Sequence, residues 1–310
     1  MIHSCIDELF YSALDELKYE GDLINSRNGK CYELLGYEAT LQTPYWPFLR
    51  NSRRKLSPYY ACAEILWYFS FRQEINMIRA YAPQYEKFAE HGKAFGAYGD
   101  RWLSNTGYQY NQIKTVINLL EDSPNTRQAI ITMWNATDLI HTIRKGHKDL
   151  PCTISMQFLL RGGLLNCITT MRSNDVWLGL PYDIFAFTFI QRVIAEALHV
   201  NPGFYKHQVG SLHLYEKNFK AADEIQLEPQ KSHPPMWGGT ISKVNSDIVK
   251  IANAATTREL MGRLGVSQVP HCLPDLFRDL VVACNHKWHP KSDINCIPKV
   301  LKEAIENANS

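Results

Sequence analysis

The sequence has no apolar run approaching the ~20 residues that a membrane-spanning helix needs, so none is expected. Its eight cysteines include no CxxC pair and follow no regular spacing, which excludes a disulfide framework. They are expected to be reduced thiols, mostly buried as small hydrophobes. Charge of either sign is nearly balanced: 33 Lys and Arg against 31 Asp and Glu leave a formal +2. No global field therefore draws the chain to nucleic acid or to a membrane surface. The densest basic run, "NSRRK" at 51–55, reads as a solvated loop. Internal repeats and low-complexity segments are also missing. The opening "MIHSCIDELFYSAL" has acids where a signal peptide has a basic region and an apolar stretch. It reads as an amphipathic helix, and the expected compartment is the cytoplasm, or the host cytoplasm for a phage-encoded protein.

What is present is ordinary globular composition, 45% hydrophobic and 21% charged over 310 residues, enough for a substantial core. Apolar residues at Ile6, Leu9, Phe10, Leu14 and Leu17 predict a helix over 3–20. "NSRNGK" at 25–30 is a polar turn leading into strand-like alternation. "YYACAEILWYFSF" at 59–71 is apolar on every side except at Glu64, so it is a buried helix. A helix over 110–127 ends in a Ser-Pro-Asn turn. β-rich segments follow, with "RGG" at 161–163 as the hairpin turn between two of them. A long apolar helix over 183–200 and a strand through "YKHQVGSLHLY" complete the pattern. The fold class is α+β. Residues 1–230 form the main domain, and 231–310 form a helical segment expected to pack on it.

Several side chains can carry chemistry, each with a plainer alternative. Cys152, after Pro151, is a buried hydrophobe or a nucleophile; the second role needs a nearby cation, which Arg172 supplies if the hairpin sets their strands side by side. Glu64 in its apolar helix is a structural glutamate with an arginine partner or a general acid/base with a raised pKa. Arg27, Arg127 and Arg172 are surface arginines or, if they converge, a phosphate clamp. His213 and Tyr215 share one strand face and are a core pair or the holders of a sugar hydroxyl. In the tail, His271, Cys272, Cys284, His286, His289 and Cys296 fit no common structural zinc spacing, so no metal is expected.

Seven stretches occur in a familiar order: "SRNGKCYELLGY", "AEILWYF", "AYGDRW", "SPNTRQAIITMWN", "LPCT", "MRSNDVWLGLPYD" and "GSLHLY". On these the chain resembles the thymidylate synthase family over roughly residues 20–230. The resemblance implies a large mixed sheet packed by helices, with one sheet face forming a homodimer interface. Thr153 after the cysteine, Ser211 and Leu212 before the histidine, and Asp183 where the synthase has asparagine look more like phage deoxycytidylate hydroxymethylases. The implied reaction starts with Cys152 adding to C6 of a pyrimidine nucleotide. C5 then takes the methylene of 5,10-methylenetetrahydrofolate, and water adds in place of hydride.

The resemblance also implies roles. Glu64 and Tyr98 serve proton transfer. Arg27, Arg172 and Ser173 hold phosphate, with Arg127 reaching the partner subunit's phosphate; Gln128 stands where the family has a second arginine. Asp175, Leu178, Gly179 and Tyr85 face the folate, Gly179 also the base, and His213 and Tyr215 the sugar 3′-hydroxyl. No metal is implied. Alternatives are a CMP hydroxymethylase, a C5-methyltransferase of dCMP or dUMP, or a non-catalytic nucleotide- or RNA-binding relic.

Asp183 carries the choice of base. On its own it reads as an N-cap of the following helix. In the aligned motif it faces the pyrimidine edge, where an ionised carboxylate meets uracil O4 as acceptor against acceptor and accepts from cytosine N4 and from a protonated N3.

Overall fold

The computed structural model describes residues 1–42, 44, 48–51, 53–104, 111–140, 149–225, 248–265 and 273–309. Its centre is an eight-stranded mixed sheet. The strands are β1 (Ile2–His3), β2 (Asp22–Ser26), β3 (Gly29–Leu41), β4 (Ile130–Thr132), β5 (Thr153–Arg161), β6 (Leu164–Met171), β7 (Asn174–Asp175) and β8 (Asn201–Tyr215). The main order is β1-β3-β8-β6-β5-β4, with β2 flanking β3 and β7 flanking β8. The "RGG" turn closes the antiparallel β5–β6 hairpin, with Gly162 and Gly163 both at positive φ.

Helices α1 (Ile6–Glu20), α2 (Pro58–Phe69) and α6 (Leu180–Ala197) form the main packing layer. Shorter helices α3 (Asn76–Tyr81), α4 (Tyr98–Ser104), α5 (Gln112–Asp122) and α7 (Phe219–Ile225) fill the edges. Ser57 caps α2 by accepting from the Tyr60 amide at 3.1 Å, and Pro58 opens the helix where its missing N–H costs nothing. The uninterrupted apolar run of α2 is explained by its neighbours. It packs against α6 on one side and, on others, against α8 (Ile248–Arg263), α9 (Asp275–Trp288) and α10 (Lys299–Asn309). Phe69 meets Phe277 of α9 at 5.1 Å and Phe189 of α6 at 6.1 Å, edge to face. "SHPPMWGG" and the pair His271 and Cys272 lie outside the described residues.

One local feature positions the site. In β8 the buried residues are Gly203, Tyr205, His207 and Val209, then Leu212 and Leu214, so the inward parity switches at Gly210. β3 switches at the same level, where Gly36 adopts φ +72°. On the side of the kink that pairs Tyr37–Leu41 with Tyr205–Val209, odd positions of both strands face the core. On its other side, Cys31, Glu33, Ser211, His213 and Tyr215 line a cavity on the opposite face. Left-handed backbone strains any residue with a Cβ. Gly36→Ala is expected to cost about 1–2 kcal/mol, read as a lowered melting midpoint in denaturant.

Candidate active site

The cavity has a volume of about 410 Å³. It gathers Arg27 from the β2–β3 turn, Arg172 and Ser173 from the end of β6, and His213 and Tyr215 from β8. His213 and Tyr215 stack edge to face at 4.9 Å. Arg127 is not among its lining residues; it is exposed in the turn after α5. Trp134 also lines the cavity, and the Arg172 guanidinium lies 5.7 Å from its ring centroid.

Arg172 connects this cavity to the thiol. Its amide donates to the Cys152 carbonyl at 2.8 Å, and its carbonyl accepts from Ser211 at 3.1 Å. Its Nε donates to the Pro151 carbonyl at 3.0 Å, and Nη2 lies 3.7 Å from Cys152 Sγ. The hairpin thus brings the expected cation to the thiol. The consequence differs from the simple expectation: burial raises the Cys152 pKa, and Arg172 only offsets it, while Asp183 and Asp149 push the same way as burial. The resting group is a thiol. Next to it, the Tyr98 hydroxyl accepts from Thr153, from Oγ1 at 3.0 Å and from the amide at 3.3 Å.

Glu64 is buried in α2. Its hydrogen-bond partners are tyrosines, not the arginine that the structural alternative calls for: Tyr60 donates to Oε1 at 2.5 Å, and Tyr68 also hydrogen-bonds it. Burial raises the carboxyl to about 7, against the pull of the two tyrosines. Tyr60 and Tyr68 stand four residues before and after Glu64, a helical spacing that places all three on one face and was readable in the sequence. Tyr85 belongs to the same group: the charges of Glu64, Asp149, Asp183 and Cys152 all act on its hydroxyl.

Asp183 does not cap its helix. Gly179 holds the N-cap position of α6, and Asp183 lies in the first turn, where no side chain makes a capping hydrogen bond. Asn174 Nδ2 donates to its Oδ2 at 2.6 Å. Burial, then the charge of Glu64, pushes the Asp183 carboxyl up to about 8, with Asn174 opposing. The sequence suggests an ionised aspartate; burial and the charge of Glu64 favour the protonated form in the free protein instead. Asn174 lay inside the quoted motif, yet no periodicity singled it out. Asp175 organises the loop before α6, its Oδ1 accepting from the amides of Trp177 at 2.8 Å and Leu178 at 3.0 Å. Leu178 is half exposed, and Gly179 is so close that an added Cβ would lie 3.1 Å from Asp183 Oδ2. Among the described residues, no cluster of three His, Cys, Asp or Glu suits a metal ion, and no helix is long and apolar enough to cross a membrane.

Raised carboxyls leave a signature in stability. Glu64, Glu196 and Asp279 sit near 7 and Asp183 near 8, above the ~4 of an unfolded chain. The folded state binds these protons more tightly, so stability falls as pH rises through the folded pKa values. The melting temperature is expected to drop by several degrees from pH 6.5 to 8.5, and Glu196→Gln should flatten part of that slope. A thermal melt across this range checks it; a rising profile contradicts it.

The ensemble is a partly buried thiol beside an arginine-lined cavity, backed by carboxyls near neutrality, on an α+β scaffold. The chain belongs to the thymidylate synthase family, whose model matches residues 10–256. A thymidylate synthase of Staphylococcus haemolyticus is 29% identical over 162 residues, 52% of this chain and 48% of that protein. The chain thus aligns with about half of that relative's length. The thermostable thymidylate synthase A of Bacillus subtilis shares the fold at a TM-score of 0.66 and 20% identity, covering 79% of this chain and 91% of that one.

Proposed function

We propose that the chain is a cytidylate 5-hydroxymethylase, moving a one-carbon unit to C5 of a cytidine monophosphate with water as the final nucleophile. The family's co-substrate is 5,10-methylenetetrahydrofolate, with no metal. It supplies the carbon at the oxidation level of formaldehyde and is recovered as tetrahydrofolate. Asp175, Leu178, Gly179 and Tyr85 suit it: a carboxylate oxygen left over from the loop turn, an exposed leucine, a position without a side chain, and an aromatic ring beside the thiol.

This chain's own groups do the rest. The Cys152 thiolate, stabilised by Arg172, adds to C6 of the base. Asp183 holds the pyrimidine edge and offers a proton to N3. Glu64, near its midpoint at neutral pH, relays protons, and Tyr98 assists removal of the C5 proton. Expulsion of Cys152 releases the 5-hydroxymethyl product. Arg27, Arg172 and Ser173 hold the phosphate, and His213 and Tyr215 the sugar. The active unit is proposed to be a homodimer joined through the sheet face that exposes Leu35, Ile130, Ile154 and Leu164, with Arg127 reaching across.

The observation that carries this reading is Asp183, a buried carboxyl held by Asn174 at 2.6 Å near the thiol. Ser173 and the phage-like motifs lean towards the deoxyribonucleotide. A second reading, the ribonucleotide, is favoured by the Glu33 carboxylate in the cavity wall. The test is incubation with CMP, dCMP, UMP or dUMP plus methylenetetrahydrofolate, followed by product masses. A cytidylate gaining CH₂O supports the proposal; a gain of CH₂ alone identifies a methyltransferase, and product from uridylates alone refutes it.

A further inference from the structure

Among the described residues lining the cavity, Glu33 is the one acid. A pocket that had only to hold a phosphate would be weakened by a fixed negative charge. The Glu33 partner is not a cation but the Ser211 hydroxyl, which donates to Oε1 at 2.5 Å. That bond fixes the carboxylate and leaves Oε2 and the Ser211 oxygen as acceptors. Strand pairing sets Glu33 directly across from His213, on the cavity side of the kink. His213 Nδ1 lies 3.5 Å from the carbonyl of Ser211 in its own strand. Tyr215 accepts from Asn28 at 3.3 Å, leaving its own O–H to donate.

This corner therefore places two adjacent acceptors beside groups able to meet another hydroxyl. Two acceptors side by side match a vicinal diol, whose O–H groups both donate. A 2′-deoxy sugar offers one hydroxyl and leaves a carboxylate oxygen facing a methylene, which costs the hydrogen bond and the desolvation of the charge. Carboxylates read ribose hydroxyls in dinucleotide-binding folds for the same reason.

We propose that Glu33, held by Ser211, reads the 2′-hydroxyl of the bound nucleotide and gives the site a preference for ribose over deoxyribose. This rests on the reading of the cavity as a nucleoside monophosphate site and is independent of the one-carbon product.

Binding of CMP, dCMP, UMP and dUMP is to be measured by calorimetry for the wild-type protein, Glu33→Gln and Ser211→Ala, with turnover followed separately. CMP should bind about 10- to 100-fold more tightly than dCMP. Glu33→Gln should bring that ratio close to one by weakening CMP while cytosine remains preferred over uracil; Ser211→Ala should lower it part of the way. Wild-type protein that binds dCMP as tightly as CMP overturns the proposal. So does a Glu33→Gln protein that loses both sugars equally, the mark of a purely structural carboxylate. Sugar discrimination without turnover of either cytidylate refutes the hydroxymethylase reading and leaves the role of Glu33 standing.

Discussion

Cys152→Ala is expected to lower kcat by at least about 10⁴-fold while nucleotide binding and the melting temperature stay near wild type. Nucleophilic addition to C6 has no substitute once the sulfur is gone, whereas the phosphate and sugar contacts come from other side chains. The thiol's raised pKa adds a second expectation. With burial above the pull of Arg172, only a small fraction is thiolate at neutral pH, so kcat/KM should rise from pH 6.5 towards 8. Arg172→Gln should move that limb to higher pH. Full turnover in the alanine protein would sink the covalent mechanism; a pH limb unmoved by Arg172→Gln would sink the assignment of Arg172 as the thiolate's cation.

Much of this was legible in the chain. Alternation gave β3 and the later part of β8, and helical spacing gave α1, because a half-buried strand and a surface helix each repeat at their own period. The unbroken apolar run marked α2 as buried, and the "RGG" turn correctly set Cys152 and Arg172 on adjoining strands. Boundaries moved where caps decide them: α6 begins at Leu180, since Gly179 and Pro181 suit its start better than Asp183 does. The rest was hidden for a physical reason. Alternation is a local rule, and the paired kink at Gly36 and Gly210 reverses it in two strands at once, which no single strand announces. The resting state of Cys152 and of Asp183 was hidden too, because burial is a property of the assembled site. Sequence reasoning supplied the neighbouring charges but not the desolvation that outweighs them.

Asp183→Asn is expected to relax the preference for cytosine over uracil by about 10³-fold, mostly by admitting uridylates and partly by slowing cytidylates. The argument starts from the neutral acid. Asn174 donates to Oδ2, which makes Oδ2 the acceptor oxygen and leaves Oδ1 to carry the proton of the acid form. The cytosine reading assigns Oδ2 to the N4 amino group and the Oδ1 proton to N3. Uracil then meets donor with donor at N3 and acceptor with acceptor at O4, and both mismatches are desolvated. An asparagine at 183 carries the same two functions but can exchange them: it can rotate its amide together with that of Asn174, whose Oδ1 has no hydrogen-bond partner in the folded protein. The site then accepts either base edge. The amide also has no proton to give to N3, so C6 of cytosine is less activated. Asn174→Ala in the otherwise native protein should relax selectivity in the same direction and less far, because the acid proton becomes free to sit on either oxygen. Above pH 8 the wild-type acid loses that proton, and kcat/KM for cytidylate should turn down, closing a bell whose rising limb belongs to the thiol. Competition between CMP and UMP, and between dCMP and dUMP, measures each ratio; cytosine selectivity unchanged in both variants would remove Asp183 from base recognition.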